Sequence, residues 1–227
     1  MNIFSGFDRK TLAFFQQLDA HNDRDWFEKH RSDYDNFVLK PAQEFVMEMG
    51  EKLRELSPDV HAIPKIDKTI FRIHRDIRFS KDKTPYKTHL ALFFWDGPRK
   101  KNDNSGYYLH IDHQKIFIGI GLYIFPKDIL ARYREIVYDH KEAKKLLKIF
   151  KVIQEAGYGA GGEGSKRVPR GYDPKYEYAE LLKFKGIYSW HECSPSDVLF
   201  SPNFIDWCFN IYKAMTPLHY WIREKLV

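Results

Sequence analysis

The order of patterns along the chain predicts an α+β fold: a central, mostly antiparallel sheet of four or five strands flanked by N-terminal and C-terminal helices. Three observations carry that prediction. Apolar residues recur at helical spacing over 8–56, alternate over much of 66–123, and return to helical spacing after Pro126. The strand-like runs are joined by short connections, which suit antiparallel pairing better than parallel crossovers. The 227 residues contain no internal repeat and no clear linker, so residues 1–227 read as a single domain.

Composition narrows the class further. With 43% apolar and 16% aromatic residues the chain can bury a core of its own, and 30% charged residues suit water. The opening Met1-Asn2-Ile3-Phe4-Ser5-Gly6 has no basic n-region and no long apolar stretch, so no signal peptide is expected. No run of about eighteen apolar residues occurs, so no membrane span is expected. Cys193 and Cys208 carry no reactive signature and read as small apolar groups in a reducing cytoplasm. A net charge of +6 and a pI of about 9.1 admit polyanionic partners without requiring them.

The elements follow in order. In the second helical run Trp26, Phe27, His30, Tyr34, Phe37 and Val38 share a face, with Asn22 or Asp23 as N-cap. Pro41 is expected to break or restart that helix, and Phe45, Val46, Met49, Leu53 and Leu56 carry the stripe to Ser57-Pro58. Over 71–79, Phe71, Ile73, Ile77 and Phe79 alternate with Arg72, His74, Asp76 and Arg78, the period of a strand. Leu90 to Trp95 reads as a more buried strand, and Asp96 to Ser105 as a polar loop. Residues 106–112 and 115–123 form a hairpin turning near His113-Gln114, where Gly119 and Gly121 leave room for a packed helix or a ligand.

Past Pro126, one helical stripe runs through Ile129, Leu130, Tyr133, Ile136 and Val137, and the next through Leu146, Leu147, Phe150 and Ile153. The face bearing Lys141, Lys144, Lys145, Lys148 and Lys151 reads as solvated. Residues 157–171 hold six of the thirteen glycines and read as a mobile loop ending in Lys166-Arg167-Val168-Pro169-Arg170-Gly171. A short helix near Tyr176 to Phe184 and an edge strand over 187–192 follow. Ser201-Pro202 opens the last helix, whose core face is Phe204, Trp207, Cys208, Ile211, Tyr212 and Met215. Pro217 is expected to kink or end it before a further turn to Lys225.

The stretch Phe71 to Lys87 carries the most chemistry, with six Lys/Arg against two Asp in seventeen residues. Alternation would set Arg75 on the apolar face between Ile73 and Ile77, where a guanidinium needs a carboxylate or a bound anion. Two readings stay open. One is an anion pocket of Arg72, Arg75 and Arg78, with Lys83 and Lys87 at its rim. The other is an Arg–Asp network that fixes the sheet and the turn, which the Ser80, Asp82 and Thr84-Pro85 turn chemistry also suits.

The run Arg72-x-x-Arg75-Asp76-x-Arg78-Phe79, followed by Asp82-Lys83-x-x-Tyr86, resembles the signature of the DUF2461 family. The similarity extends to the Gly106-Tyr107-Tyr108 strand start and to Arg167-x-Pro169-Arg170-Gly171-Tyr172-Asp173 ahead of Leu181-Leu182-x-x-Lys185. What the resemblance implies is a family-defining site over nearly the whole chain, with no established activity or cofactor.

The best functional expectation is a pocket for a small anionic, phosphate- or carboxylate-bearing ligand, lined by Arg72, Arg75, Arg78, Lys83 and Tyr86, with Arg167 and Arg170 closing over it as a lid. Should it catalyse, the arginines would stabilise developing negative charge and His74 or Asp76 would carry the proton. Facing strands would also collect His74, Asp76, His110 and Asp112, but histidines spaced like this are more often structural, and no metal is expected. Gly159 to Gly164 is followed by Ser165-Lys166, where a P-loop requires Lys before Ser/Thr, and no dinucleotide fingerprint or catalytic motif occurs, so the cofactor stays open. One rival is a nucleic-acid-binding module using the same basic residues and the lysine face. The other is a scaffold whose Arg/Asp motif is purely structural.

Overall fold

The computed structural model describes residues 3–227. Met1 and Asn2, at the head of the segment expected to hold no signal peptide, lie outside the described residues. The elements run α1 (Arg9–Ala20), α2 (Arg24–Lys29), α3 (Arg31–Tyr34), a π-helical turn (Asp35–Leu39), α4 (Lys40–Leu53), β1 (Leu90–Trp95), β2 (Gly106–Ile111), β3 (Ile116–Leu122), α5 (Lys127–Val137), α6 (His140–Glu155), β4 (Gly159–Gly161), α7 (Ala179–Leu182), β5 (Ile187–Cys193) and α8 (Phe204–Lys225). The five strands form one antiparallel sheet in the order β1-β2-β3-β5-β4, so the expected α+β architecture holds. Among the described residues no helix is long and apolar enough to cross a membrane.

Contacts group the residues into two compact units that interleave in sequence. Unit 1 comprises Met1–Phe94, Tyr108–Ile118 and Glu192–Asn210. Unit 2 comprises Trp95–Tyr107, Gly119–His191 and Ile211–Val227. Unit 1 is built on aromatic packing: Phe4, Phe7, Phe45 and Phe204 pack ring on ring, and Phe45 reaches Phe94 of β1 at 6.5 Å. Unit 2 buries Tyr107 edge-on against Tyr212 of α8, and Tyr133 of α5 against Phe125 and Trp221.

Local chemistry explains the helix starts. Asp23 caps α2 by accepting the Trp26 N–H at 2.8 Å, while Asn22 hydrogen-bonds both backbone groups of Tyr86. Pro41 does not break the helix run. It has no N–H to offer Phe37 O, four residues back, and the chain widens into a π-turn just ahead of it. The freed Phe37 carbonyl accepts the hydroxyl of the buried Thr11 at 2.5 Å. Pro217 likewise lies inside α8, which runs unbroken to Lys225.

The sheet differs from expectation in membership. Residues 71–79 form no strand. They hold only scattered pairings, Phe71 N–H to Ala91 O, Arg75 N–H to Pro85 O and Lys87 N–H to Ile73 O, plus a bridge between His74 and Tyr86. Alternation fails because Phe79, expected on the apolar face, is 94% exposed. The fifth strand is instead β4, in the glycine-rich segment expected to be a mobile loop. It pairs with β5 as Gly159↔Trp190, Ala160↔Ser189 and Gly161↔Tyr188, so β5 is not an edge strand. A side chain at Gly159 would run into the Trp190 ring, and one at Gly162, just past the strand, into the Gly186 carbonyl, so both positions require glycine.

Candidate functional site

The arginine-bearing loop in unit 1 folds on its own carboxylates. Arg75 is half-buried and its Nη1 donates to Asp82, to the Thr84 hydroxyl and to Thr84 O. The Asp82 carboxyl in turn accepts the Thr84 N–H at 2.9 Å, and these bonds hold its pKa at about 2. Arg78 forks onto Asp76 at 2.9 and 2.7 Å, which also holds Asp76 at about 2. Asp76 therefore stays ionised at neutral pH and is a poor proton carrier. Lys83 Nζ donates to Ile77 O at 2.9 Å, across the base of the turn. Tyr86 is buried, its ring stacked on Phe27 at 4.2 Å. His74 is exposed, its ring 5.1 Å from Tyr86. Three of the expected ligand cations are thus occupied by the protein itself.

Arg72 and Lys87 are placed differently. Arg72 is exposed, and its carbonyl accepts Lys87 Nζ at 2.8 Å. The Lys87 ammonium sits 5.5 Å over the Phe71 ring. Burial first, and Arg72 second, lower its pKa against a weaker pull from Asp67. From Phe71 an aromatic row continues through Tyr108 of β2 at 6.5 Å to Phe117 of β3 at 6.1 Å. Burial pushes Tyr108 up to about 12.

Two histidines adjoin this row. His89 stacks on His110 at 4.2 Å, 25° from parallel. Burial, then the neighbouring His110 and Lys87, bring His89 down to about 4, so its ring is neutral at pH 7. His110 Nε2 lies 2.8 Å from Asp112 Oδ2, with side-chain exposures of 15% and 17%. Burial raises the Asp112 pKa, but hydrogen bonds from His110 and from the N–H groups of Gln114 and Lys115 outweigh it and leave it lowered. An ionised Asp112 can only accept, so His110 donates to it from Nε2. The patch therefore pairs an exposed Arg72 and a half-buried Lys87 with a carboxylate-held imidazole, and perturbed groups gathered like this mark a candidate site. Composition does not reveal it. The one signal was the recurrence of His at 89 and 110 beside the arginine motif, on segments only the fold brings together.

Arg167 and Arg170 belong to unit 2, both exposed, in the turn where the Tyr172 N–H bonds Pro169 O. Among the described residues no group of three His, Cys, Asp or Glu side chains could hold a metal ion. A cleft of about 700 Å³ beside the π-turn is lined by Asp8 and Glu44 as well as Arg9 and Lys40, so it favours neither charge.

The polar loop after β1 hides a row that sequence reading missed. Ser105 Oγ donates to His219 Nδ1 at 2.8 Å, and His219 Nε2 donates to Asp96 Oδ2 at 3.2 Å. Arg223 pairs with the other Asp96 oxygen. The order is that of a serine-hydrolase triad, but Ser105 and His219 are fully buried, so no substrate meets the hydroxyl. The row ties the loop to α8.

These features define an α+β protein whose arginine loop is folded on its own carboxylates beside a half-buried patch of lysine, histidine and aromatic side chains. The chain belongs to the DUF2461 family: that family's model, described as a conserved hypothetical protein, matches residues 10–221. No curated protein matches the chain.

Proposed function

We propose that the chain binds a small anion bearing phosphate or carboxylate on the unit 1 patch of Arg72, Lys87, His89, Tyr108 and His110. Lys87 carries the reading. The residue is half-buried, and among the described residues its ammonium makes no ion pair with a carboxylate. Withdrawing a cation from water without a counter-ion is unfavourable, and an arriving anion meets an attraction that low solvent exposure strengthens. Arg72 supplies a second cation, and the neutral His89 supplies a ring N–H. Phe71 and Tyr108 offer a floor for an apolar part of the ligand. Arg75, Arg78 and Lys83 serve by shaping the loop, which is the structural reading of the arginine motif confined to those three. Any proton transfer here runs through His110, held by Asp112, rather than through Asp76. A reducing cytoplasm suits the reading, since Cys193 and Cys208 are both free thiols.

A thermal-shift screen against phosphates, nucleotides, sugar phosphates and carboxylates tests it. At hundredfold excess over Kd, a bound anion stabilises by about 2.7 kcal/mol, or a rise of about 5–10 °C. Lys87→Ala is expected to abolish the rise. Arg75→Ala is expected to lower the starting Tm and keep the rise. If no anion shifts the wild type while Arg75→Ala still destabilises, the motif is architectural only.

A further inference from the structure

Unit 2 carries a surface that the anion patch does not use. Tyr138, at the end of α5, meets Tyr172 edge-on at 5.2 Å and Tyr176 at 4.9 Å. His140, the first residue of α6, contacts Tyr176 at 5.0 Å and Tyr178 at 5.6 Å. The Tyr176 hydroxyl donates to Val137 O at 3.0 Å and fixes the cluster to the α5–α6 corner. Burial does not explain five joined rings here, because Tyr138 is 41% exposed and His140 is exposed as well.

Charge surrounds the rings unevenly. Lys141, Lys144 and Lys148 follow His140 along α6, and Lys166, Arg167 and Arg170 precede Tyr172; all six are exposed. Among the described residues none of the six forms an ion pair. The local carboxylates have other partners. Asp139 caps α6 through the N–H groups of Lys141 and Glu142. Glu142 pairs with Lys145 and Glu155 with Lys151, while Glu177 stays within the cluster, accepting the Tyr178 hydroxyl and lying 3.4 Å from His140 Nδ1. Asp173 accepts the Lys175 N–H.

We infer that this surface of Tyr138, Tyr172, Tyr176 and His140, with the flanking α6 lysines and the 166–170 turn, binds single-stranded nucleic acid. Exposed and half-exposed rings give unpaired bases a stacking platform, and the unpartnered cations of α6 and the 166–170 turn take the phosphates. A duplex keeps its bases stacked on one another and offers these rings nothing, so single strands are preferred.

Fluorescence anisotropy with labelled twelve-residue oligothymidylate and oligouridylate tests this, with a duplex of equal length and polyglutamate as comparators. The wild type is expected to favour the single strands, and to lose about tenfold or more in affinity between 50 and 200 mM salt. Tyr138→Ala with Tyr172→Ala is expected to weaken binding about tenfold with the salt dependence kept, and Tyr138→Phe with Tyr172→Phe to restore it. Lys144→Glu with Arg170→Glu, both on exposed positions, is expected to flatten the salt dependence, and keeps the test open should the alanine variant misfold. No binding at 50 mM salt, equal binding of polyglutamate or duplex, or unchanged affinity in a folded tyrosine variant overturns the inference.

Discussion

Asp96→Ala is expected to destabilise the protein by about 3–5 kcal/mol, the loss typical of removing one partner from a buried charged network. Asp96 accepts from His219 and pairs with Arg223 at 3% side-chain exposure. Without it, His219 keeps an N–H that no water reaches, and the anchor between the 96–105 loop and α8 is gone. Arg223, at 36% exposure, can turn to solvent, so His219 bears most of the cost. Urea and thermal melts read the effect, with a fall in Tm of about 10 °C. Asp96→Asn keeps an acceptor and is expected to lose less.

The same row gives stability a pH dependence. Burial lowers the His219 pKa below its ordinary 6.5, against the opposing pull of Asp96. The unfolded chain then binds more protons than the native one below about 6.5, so the stability conferred by neutral His219 is complete above that value and declines as pH falls through it. His89, lowered to about 4, acts with the same sign over 6.5 to 4. A protein whose melting temperature stayed level between pH 7 and 5 in the wild type, yet fell in Asp96→Ala, would contradict this assignment.

Gly121→Ala is expected to cost about 3 kcal/mol or more and to loosen the β3–β5 pairing first. Gly121 has φ +138°, a conformation side chains rarely adopt, and a Cβ there would sit 2.5 Å from Ile187 O. Strain of about 1–3 kcal/mol adds to the overpacking of one strand against its neighbour's backbone. Hydrogen exchange at the β3 and β5 amides reads the local loss. Gly119→Ala, at an ordinary φ, is expected to be milder. The expectation that these glycines leave room for a ligand is thereby corrected at Gly121: the neighbouring strand fills the space.

The helices and four of the five strands were legible because periodicity records burial directly. Residues 71–79 deceived because alternation cannot tell a strand from an extended loop whose charges bond to each other. Ile73 is buried as the pattern requires, but Arg75 finds Asp82 seven residues on and turns the chain away from the sheet. Strand β4 was illegible for the opposite reason: Gly159, Ala160 and Gly161 have almost no side chain to show a period, and only the Trp190 ring explains them. The polar loop concealed Asp96 and Ser105 because their partner, His219, lies more than a hundred residues away on a helix face that reads as core. The anion patch was half legible. Arg72 and Lys87 stood in the motif, whereas His89, just ahead of β1, and His110 of β2 joined them only through the pairing of β1 with β2.

The central claim is that an anion sits between Lys87 and the two stacked histidines. Its most direct measurement is NMR of the histidine ring signals while inorganic phosphate, and then the anion giving the largest thermal shift, is titrated into the protein. The account predicts saturable movement of the His89 and His110 signals, lost in Lys87→Ala, with His219 and His74 unmoved. Stationary His89 and His110 signals at saturating anion, or movement confined to His74, would contradict it.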